Sequence, residues 1–264
     1  MRIALGVEYD GSRFHGWQTQ QPGVRTVQAV LEQALSKVAD ETVTATCAGR
    51  TDTGVHASEQ VIHFDTEARR PPHGWVMGAN VHLPDDVSVL WAAEVPEAFH
   101  ARFSAVARTY RYWILNRLSR AALFHRRVTW IHRPLDADRM HRAGQALVGT
   151  HDFTSYRTVH CQAKNPVRTL HHLRVERQGD LVCLEVRADG FLHHMVRNIA
   201  GVLIAIGSGE AGEGWAAEVL EHRDRTLGGV TAPPDGLYFH HVDYPAEFVL
   251  PRSRRTPEDP LRFL

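Results

Sequence analysis

The chain has 264 residues, of which 43% are apolar, 23% charged and 8% aromatic, with a formal net charge of zero. That balance fits one large or two smaller globular domains with a real core, and it excludes disordered, collagen-like and fibrous classes. No apolar run approaches the ~18–20 residues of a membrane-crossing helix, and the start turns acidic at Glu8 before a signal-peptide core could form, so a soluble, cytoplasmic chain is expected.

In chain order, residues 2–9 read as a strand. Thr26 is a good helix N-cap, and Val27, Val30, Leu31, Ala34, Leu35 and Val38 follow at helical spacing, which predicts a helix over 26–39. Strands are expected at about 42–49 and 59–66, a short helix near 74–81 and a strand near 87–95. The pattern then restarts with a strand over 107–116 and a helix over 136–147 capped by Asp136. A hairpin of strands 166–178 and 180–188 turns at Gln178-Gly179-Asp180. A helix over 191–206 and a strand over 237–243 complete the series. Each half reads β-α-β-β-α-β, the split βαβ plan, which predicts an α+β fold of two pseudo-symmetric halves, 1–104 and 105–244. Residues 245–264 form a Pro- and Arg-rich tail containing Arg252, Arg254 and Arg255.

The neutral total hides an asymmetry. Residues 1–104 carry 8 basic and 13 acidic groups, whereas residues 105–264 carry 22 and 17. No acid occurs between Glu97 and Asp136, a stretch holding Arg102, Arg108, Arg111, Arg117, Arg120, Arg126, Arg127 and Arg133 among Phe103, Tyr110, Tyr112, Trp113, Phe124 and Trp130. Guanidinium groups bind phosphate and aromatic faces stack on unpaired bases, so this segment is expected to face a polyanion. The three cysteines, Cys47, Cys161 and Cys183, lie far apart with no pair motif and read as small hydrophobes in a reducing compartment.

The string Ala48-Gly49-Arg50-Thr51-Asp52-Thr53-Gly54-Val55-His56-Ala57 must be a loop. The bland reading is an Asx turn in which Asp52 bonds backbone amides and Gly54 supplies positive φ. The chemical reading is an ionised carboxylate beside Arg50, suited to act as nucleophile or base. Asp-Thr-Gly also occurs in aspartic proteases, but those need two such carboxylates and no second copy is present. On the helix containing Met195, Ile199, Val202 and Leu203, Arg197 falls off the apolar stripe, with Gly201 one turn on leaving room for close approach. Arg197 is either an exposed helix arginine or a partner for an anion. Adjacent histidines such as His193-His194 lie about 100° apart on a helix and seldom chelate together, so no metal is expected. Phosphate-loop and dinucleotide glycine motifs are missing from the sequence.

Taken together, the strings from Tyr9 to Gln18, from Gly49 to Ala57 and from Phe99 to Ser104 resemble those of the bacterial tRNA pseudouridine synthase A family. So do Tyr110-Arg111-Tyr112, His151 to Ser155, Phe191 to Asn198, and Gly236-Leu237-Tyr238. The resemblance spans residue 3 to about 244, and seven motifs in the family's order are not an accident. It implies an isomerase that converts uridine to pseudouridine at positions 38, 39 and 40 in the anticodon stem-loop of tRNA. It further implies a homodimer of chains, each with two ferredoxin-like halves around a basic cleft, working without metal or organic cofactor. The catalytic residue falls on Asp52, which would act on the flipped-out nucleotide. The tyrosine that stacks on the base falls on Tyr110, with its phenol a candidate to take the C5 proton. The arginine that pairs with the aspartate falls on Arg197, and Arg50 would contact substrate phosphate. The contrasting class is a catalytically inactive RNA-binding module of the same fold.

Overall fold

The computed structural model of the protein describes residues 1–159 and 161–251; the arginines at 252, 254 and 255 lie outside these described residues. The strands are β1 (Arg2–Tyr9), β2 (Thr46–Cys47), β3 (His56–Asp65), β4 (Val87–Val95), β5 (Ala107–Asn116), β6 (Thr129–Ile131), β7 (Gly149–Asp152), β8 (Val167–Gln178), β9 (Leu181–Ala188) and β10 (Leu237–Asp243). The helices are α1 (Val27–Ala39), α2 (Pro72–His82), α3 (Ala137–Gly144), α4 (Met195–Gly207) and α5 (Trp215–His222). None of these helices is long and apolar enough to cross a membrane.

All ten strands join one mostly antiparallel sheet, in the order β4-β1-β3-β10-β5-β9-β8-β7, with β2 on β3 and β6 on β5. Its middle is a short parallel pairing of β3 with β10, in which His56 faces Tyr238 and Ala57 faces Phe239. That pairing joins residues about 180 positions apart. The larger of two buried apolar clusters among the described residues runs through the join, from Ile3 and Leu5 in β1 to Tyr112 in β5 and Phe239 in β10. Helix α2 packs on α1 and β4, and α3 packs on α4 and β8.

Most elements form where the side-chain period puts them. Thr26 caps α1 as expected, its hydroxyl accepting the Ala29 N–H at 3.4 Å. The strand expected at 42–49 shrinks to Thr46–Cys47 because α1 side chains take its amides. The Val43 N–H donates to Ser36 Oγ and the Ala45 N–H to Glu32 Oε1, both at 2.9 Å. The helix expected over 136–147 is α-helical only to Gly144 and tightens to a 3-10 turn over Gln145–Leu147. The helix expected from 191 begins four residues later, at Met195, since His194 sits in the left-handed region at φ 63° and ψ 6°.

Candidate active site

Asp52 lies in the loop that enters β3, directly beside the β3–β10 join. The loop is clamped on both sides. Thr51 is buried, its hydroxyl pairs with Tyr9 Oη at 2.8 Å, and its carbonyl accepts the Trp17 N–H at 3.0 Å. Gly16 approaches the same carbonyl at φ +84°, where a Cβ would stand 2.7 Å from the oxygen. After Asp52 the chain turns through Gly54 at φ +81°, and the Val55 N–H returns to the Asp52 carbonyl at 3.1 Å. Next, buried His56 accepts the Gly11 N–H at Nδ1 (3.0 Å) and stacks on Tyr238 with ring centroids 4.6 Å apart.

These backbone contacts leave the Asp52 carboxylate for other partners, so the Asx-turn reading does not hold. Its Oδ1 is 3.2 Å from His193 Nε2; its Oδ2 is 3.4 Å from His194 Nε2 and 3.6 Å from Arg197 Nη1. Arg197, on the first turn of α4, is largely buried and held by more than the carboxylate. Its Nε donates to the Ala232 carbonyl at 2.8 Å, and the Ala232 N–H donates back to the Arg197 carbonyl at 3.1 Å. The Ala232 segment lies flush against Gly201, where a Cβ would meet the Val230 carbonyl oxygen at 1.8 Å. Asn198 braces the same segment, accepting from Thr231 Oγ1 at 2.6 Å while its Nδ2 donates to the Tyr156 carbonyl at 2.7 Å.

Tyr110, in β5, packs edge-to-face on Phe191 at 4.9 Å and on Phe239 at 5.0 Å between centroids. Gly49 touches that same Phe239, since a Cβ there would lie 2.7 Å from its ring, so the start of the Asp52 loop and Tyr110 share one packing contact. Burial raises the Tyr110 phenol well above the usual tyrosine range, and the charges of Tyr9 and Asp52 add to the effect. The phenol is therefore neutral. Arg50 is exposed and makes no side-chain hydrogen bond or ion pair among the described residues. The structure thus gathers Asp52 and Arg197 directly, sets Tyr110 beside them through Phe239, and leaves Arg50 facing outward.

The histidines were not read from the sequence as neighbours of Asp52. Adjacent histidines diverge on a regular helix or strand, but these two belong to neither. Instead they sit in the turn before α4, where the left-handed backbone of His194 turns both rings toward one carboxylate. The doublet immediately before Met195-Val196-Arg197 is the signal that could have found them. Burial lowers the His194 pKa, against the pull of Asp52.

The arginine-rich segment is also corrected in part. Arg108 donates to the carbonyls of Ala48 (3.2 Å), Ala105 (3.1 Å) and Asp189 (3.0 Å), pinning the start of the Asp52 loop to β5. Arg111 pairs with Glu185, Arg117 with Asp180, Arg127 with Asp10 and Arg133 with Glu210. Arg102, Arg120 and Arg126 remain exposed, Arg102 lying over the Phe103 ring at 5.5 Å. Of the thiols, Cys47 is buried and pushed up to about 12 by that burial, so it is no nucleophile at neutral pH.

A carboxylate held beside a largely buried guanidinium, with a buried, protonated phenol sharing the packing of its loop, is the side-chain set of an acid–base enzyme site. The model of the tRNA pseudouridine synthase family matches residues 6–104 and 143–245, and the chain belongs to that family, isomerases that convert uridine to pseudouridine. The tRNA pseudouridine synthase A of Nitrosococcus oceani is 62% identical over 97% of this chain and 98% of its own length. That of Pseudomonas aeruginosa is 62% identical over 97% and 90%, and that of Methylococcus capsulatus 56% identical over 100% and 98%.

Proposed function

We propose that this chain isomerises uridine to pseudouridine at positions 38, 39 and 40 in the anticodon stem-loop of tRNA, with Asp52 as the catalytic carboxylate. The observation that carries the reading is the Asp52–Arg197 pair at 3.6 Å, anchored from behind by Ala232. The reaction breaks the N1–C1′ bond, turns the uracil and joins C5 to C1′; the C5 proton leaves and N1 gains one. Atoms and electrons balance without an oxidant or reductant. Asp52 acts on the nucleotide, as nucleophile or by removing a ribose proton, and either role needs the carboxylate orientation that Arg197 provides.

The uridine must be flipped out to reach Asp52. Tyr110 then offers its ring to the extruded base. Because burial keeps the phenol protonated, it can take the C5 proton only as it releases its own, to Asp52 or to water. Arg50, Arg102, Arg120 and Arg126 are the exposed cations we assign to RNA phosphates.

We further read residues 1–104 and 105–244 as two pseudo-symmetric ferredoxin-like halves, followed by the tail 245–264. The strand orders β4-β1-β3-β2 and β10-β5-β9-β8 support this, being one permutation used twice. The family resemblance supports a cytoplasmic homodimer, and the free thiols of Cys47, Cys161 and Cys183 agree with a reducing compartment. Sedimentation of the purified chain would test the dimer.

The deciding experiment is tritium release from C5-labelled tRNA transcripts bearing uridine singly at position 38, 39 or 40. Native protein should release tritium from all three, and Asp52→Asn from none while still retaining tRNA on a filter. Retention of tRNA without release by native protein would make it an inactive RNA-binding module. Release from uridines outside the stem-loop would overturn the positional assignment.

A further inference from the structure

We propose that Asp52, His193 and His194 form a binding site for a zinc-type divalent transition-metal ion, and that filling it switches the enzyme off. One carboxylate oxygen and two imidazole nitrogens lie within 4.8 Å of one another. A four-coordinate zinc ion sits about 2.0–2.2 Å from such ligands, which places neighbouring donors about 3.3–3.5 Å apart. His193 Nε2 lies 3.2 Å from Oδ1 and His194 Nε2 3.4 Å from Oδ2, so each imidazole already stands at that spacing from one oxygen of the shared carboxylate, and a small rotation of the carboxylate brings a single oxygen to both.

The convergence is built into the backbone rather than left to side-chain chance. His194 occupies the left-handed region at φ 63°, a conformation that disfavours a non-glycine residue. Its carbonyl accepts the Asn198 N–H at 2.9 Å, and the His193 carbonyl accepts the Thr158 N–H at 3.0 Å, so both residues are held at the main chain. His193 is 45% exposed, whereas His194 and Asp52 are 26% and 29% exposed. An ion can therefore reach the three donors, and a fourth position on the solvent side is open to water.

Donor chemistry sets the selectivity. Two imidazoles suit zinc, copper or nickel, whereas magnesium demands oxygen ligands in near-octahedral array. The site would thus ignore the magnesium that accompanies any tRNA. Arg197, 3.6 Å from Oδ2, opposes a second cation, which makes this a site that fills and empties with the free metal concentration rather than a permanent centre. Occupancy ties up the carboxylate lone pairs. The loss of activity rests on Asp52 being the catalytic carboxylate; the binding of the ion does not.

The test is calorimetric titration of the full-length protein with zinc chloride near neutral pH, alongside His193→Ala, His193→Gln, His194→Ala and Asp52→Asn. Circular dichroism confirms that each variant is folded. Native protein should show a zinc site that each variant binds more weakly, by more than the roughly 10–100-fold that loss of a hydrogen-bond partner to a metal ligand costs. Cobalt should give a tetrahedral absorption band with native protein that each variant lacks. Tritium release by native protein should fall as zinc fills this site, persist in excess magnesium and recover with EDTA. His193→Ala, compared with its own metal-free rate, should need at least tenfold more zinc. Equal zinc binding by native and variant proteins would overturn the site. Variant-sensitive binding that leaves tritium release untouched would uphold the metal site and overturn both the switch and the catalytic role of Asp52.

Discussion

Arg197 and Ala232 are tied to each other twice, by the arginine Nε on the alanine carbonyl and by the alanine N–H on the arginine carbonyl. The guanidinium facing Asp52 is therefore aimed from a loop on the far side of α4, and Gly201 is what lets that loop come close. Gly201→Ala would drive a methyl into the Val230 carbonyl. The substitution should cost about 1–3 kcal/mol of stability through overpacking, and kcat should fall more than KM rises. Unchanged melting together with unchanged turnover would mean that the loop does not position Arg197.

Tyr110 separates ring from phenol. Tyr110→Phe keeps both edge-to-face contacts and should melt within about 1 kcal/mol of native, since the ring supplies the packing. Its tritium release should drop roughly 10²–10⁴-fold if the phenol relays the C5 proton. Tyr110→Ala should instead lose about 3–5 kcal/mol of stability from the cavity it leaves. Native rates in Tyr110→Phe would reduce the residue to a stacking platform.

For Arg50 the expectation is the reverse. The side chain is exposed and supports no contact among the described residues, so Arg50→Ala should leave stability within about 0.5 kcal/mol of native. Binding of tRNA should weaken, and the slope of log affinity against log salt should shrink by about one. An unchanged salt slope in filter-binding assays would remove Arg50 from the phosphate-contacting set.

Acid should unfold the protein earlier than its carboxylates require. Burial lowers both His63 and His240 from the ordinary 6.5 to about 4. His63 Nδ1 accepts the Ala101 N–H at 3.1 Å, and His240 Nδ1 pairs with Ser58 Oγ at 2.9 Å. Below pH 6.5 the unfolded chain binds these protons before the folded one does. Stability is thus complete above about pH 6.5 and falls as pH drops toward 4, by roughly 2–3 kcal/mol per histidine. Asp65, already held below the carboxylate range mainly by its hydrogen bond with Arg2, contributes only at still lower pH. Urea midpoints measured between pH 7 and 4.5 would check this, and a flat profile would contradict it.

What the sequence disclosed was whatever repeats at short range. The strands 87–95, 107–116 and 237–243 and the cap and stripe of α1 coincide with the structure because each is set by its own side-chain period. Strands of three and four residues, β6 and β7, carry no period and went unread, as did α5. The Asp52 loop and Arg197 were identifiable as motifs. Their meeting depends on Ala232, Gly201 and the left-handed His194, which no local pattern encodes. The acid-free arginine stretch hides its partners for the same reason: Asp10, Asp180, Glu185 and Glu210 supply counter-charges to four of its arginines from distant parts of the chain.

The parallel pairing of β3 with β10 sets a timetable for biosynthesis. On the ribosome, β3 emerges some 170 residues before the strand that will cover His56 and Ala57. Until then that edge is held only farther along, by Thr46 and Cys47, and its open end is a template for any passing extended segment. The nascent chain carries its aspartate loop complete, and gains Tyr110 and Arg197 in turn, before β10 can close the join beside them. Truncation anywhere before residue 237 therefore leaves an inert protein with an exposed sheet edge, and quality control would meet it as an aggregation hazard rather than as a slow enzyme.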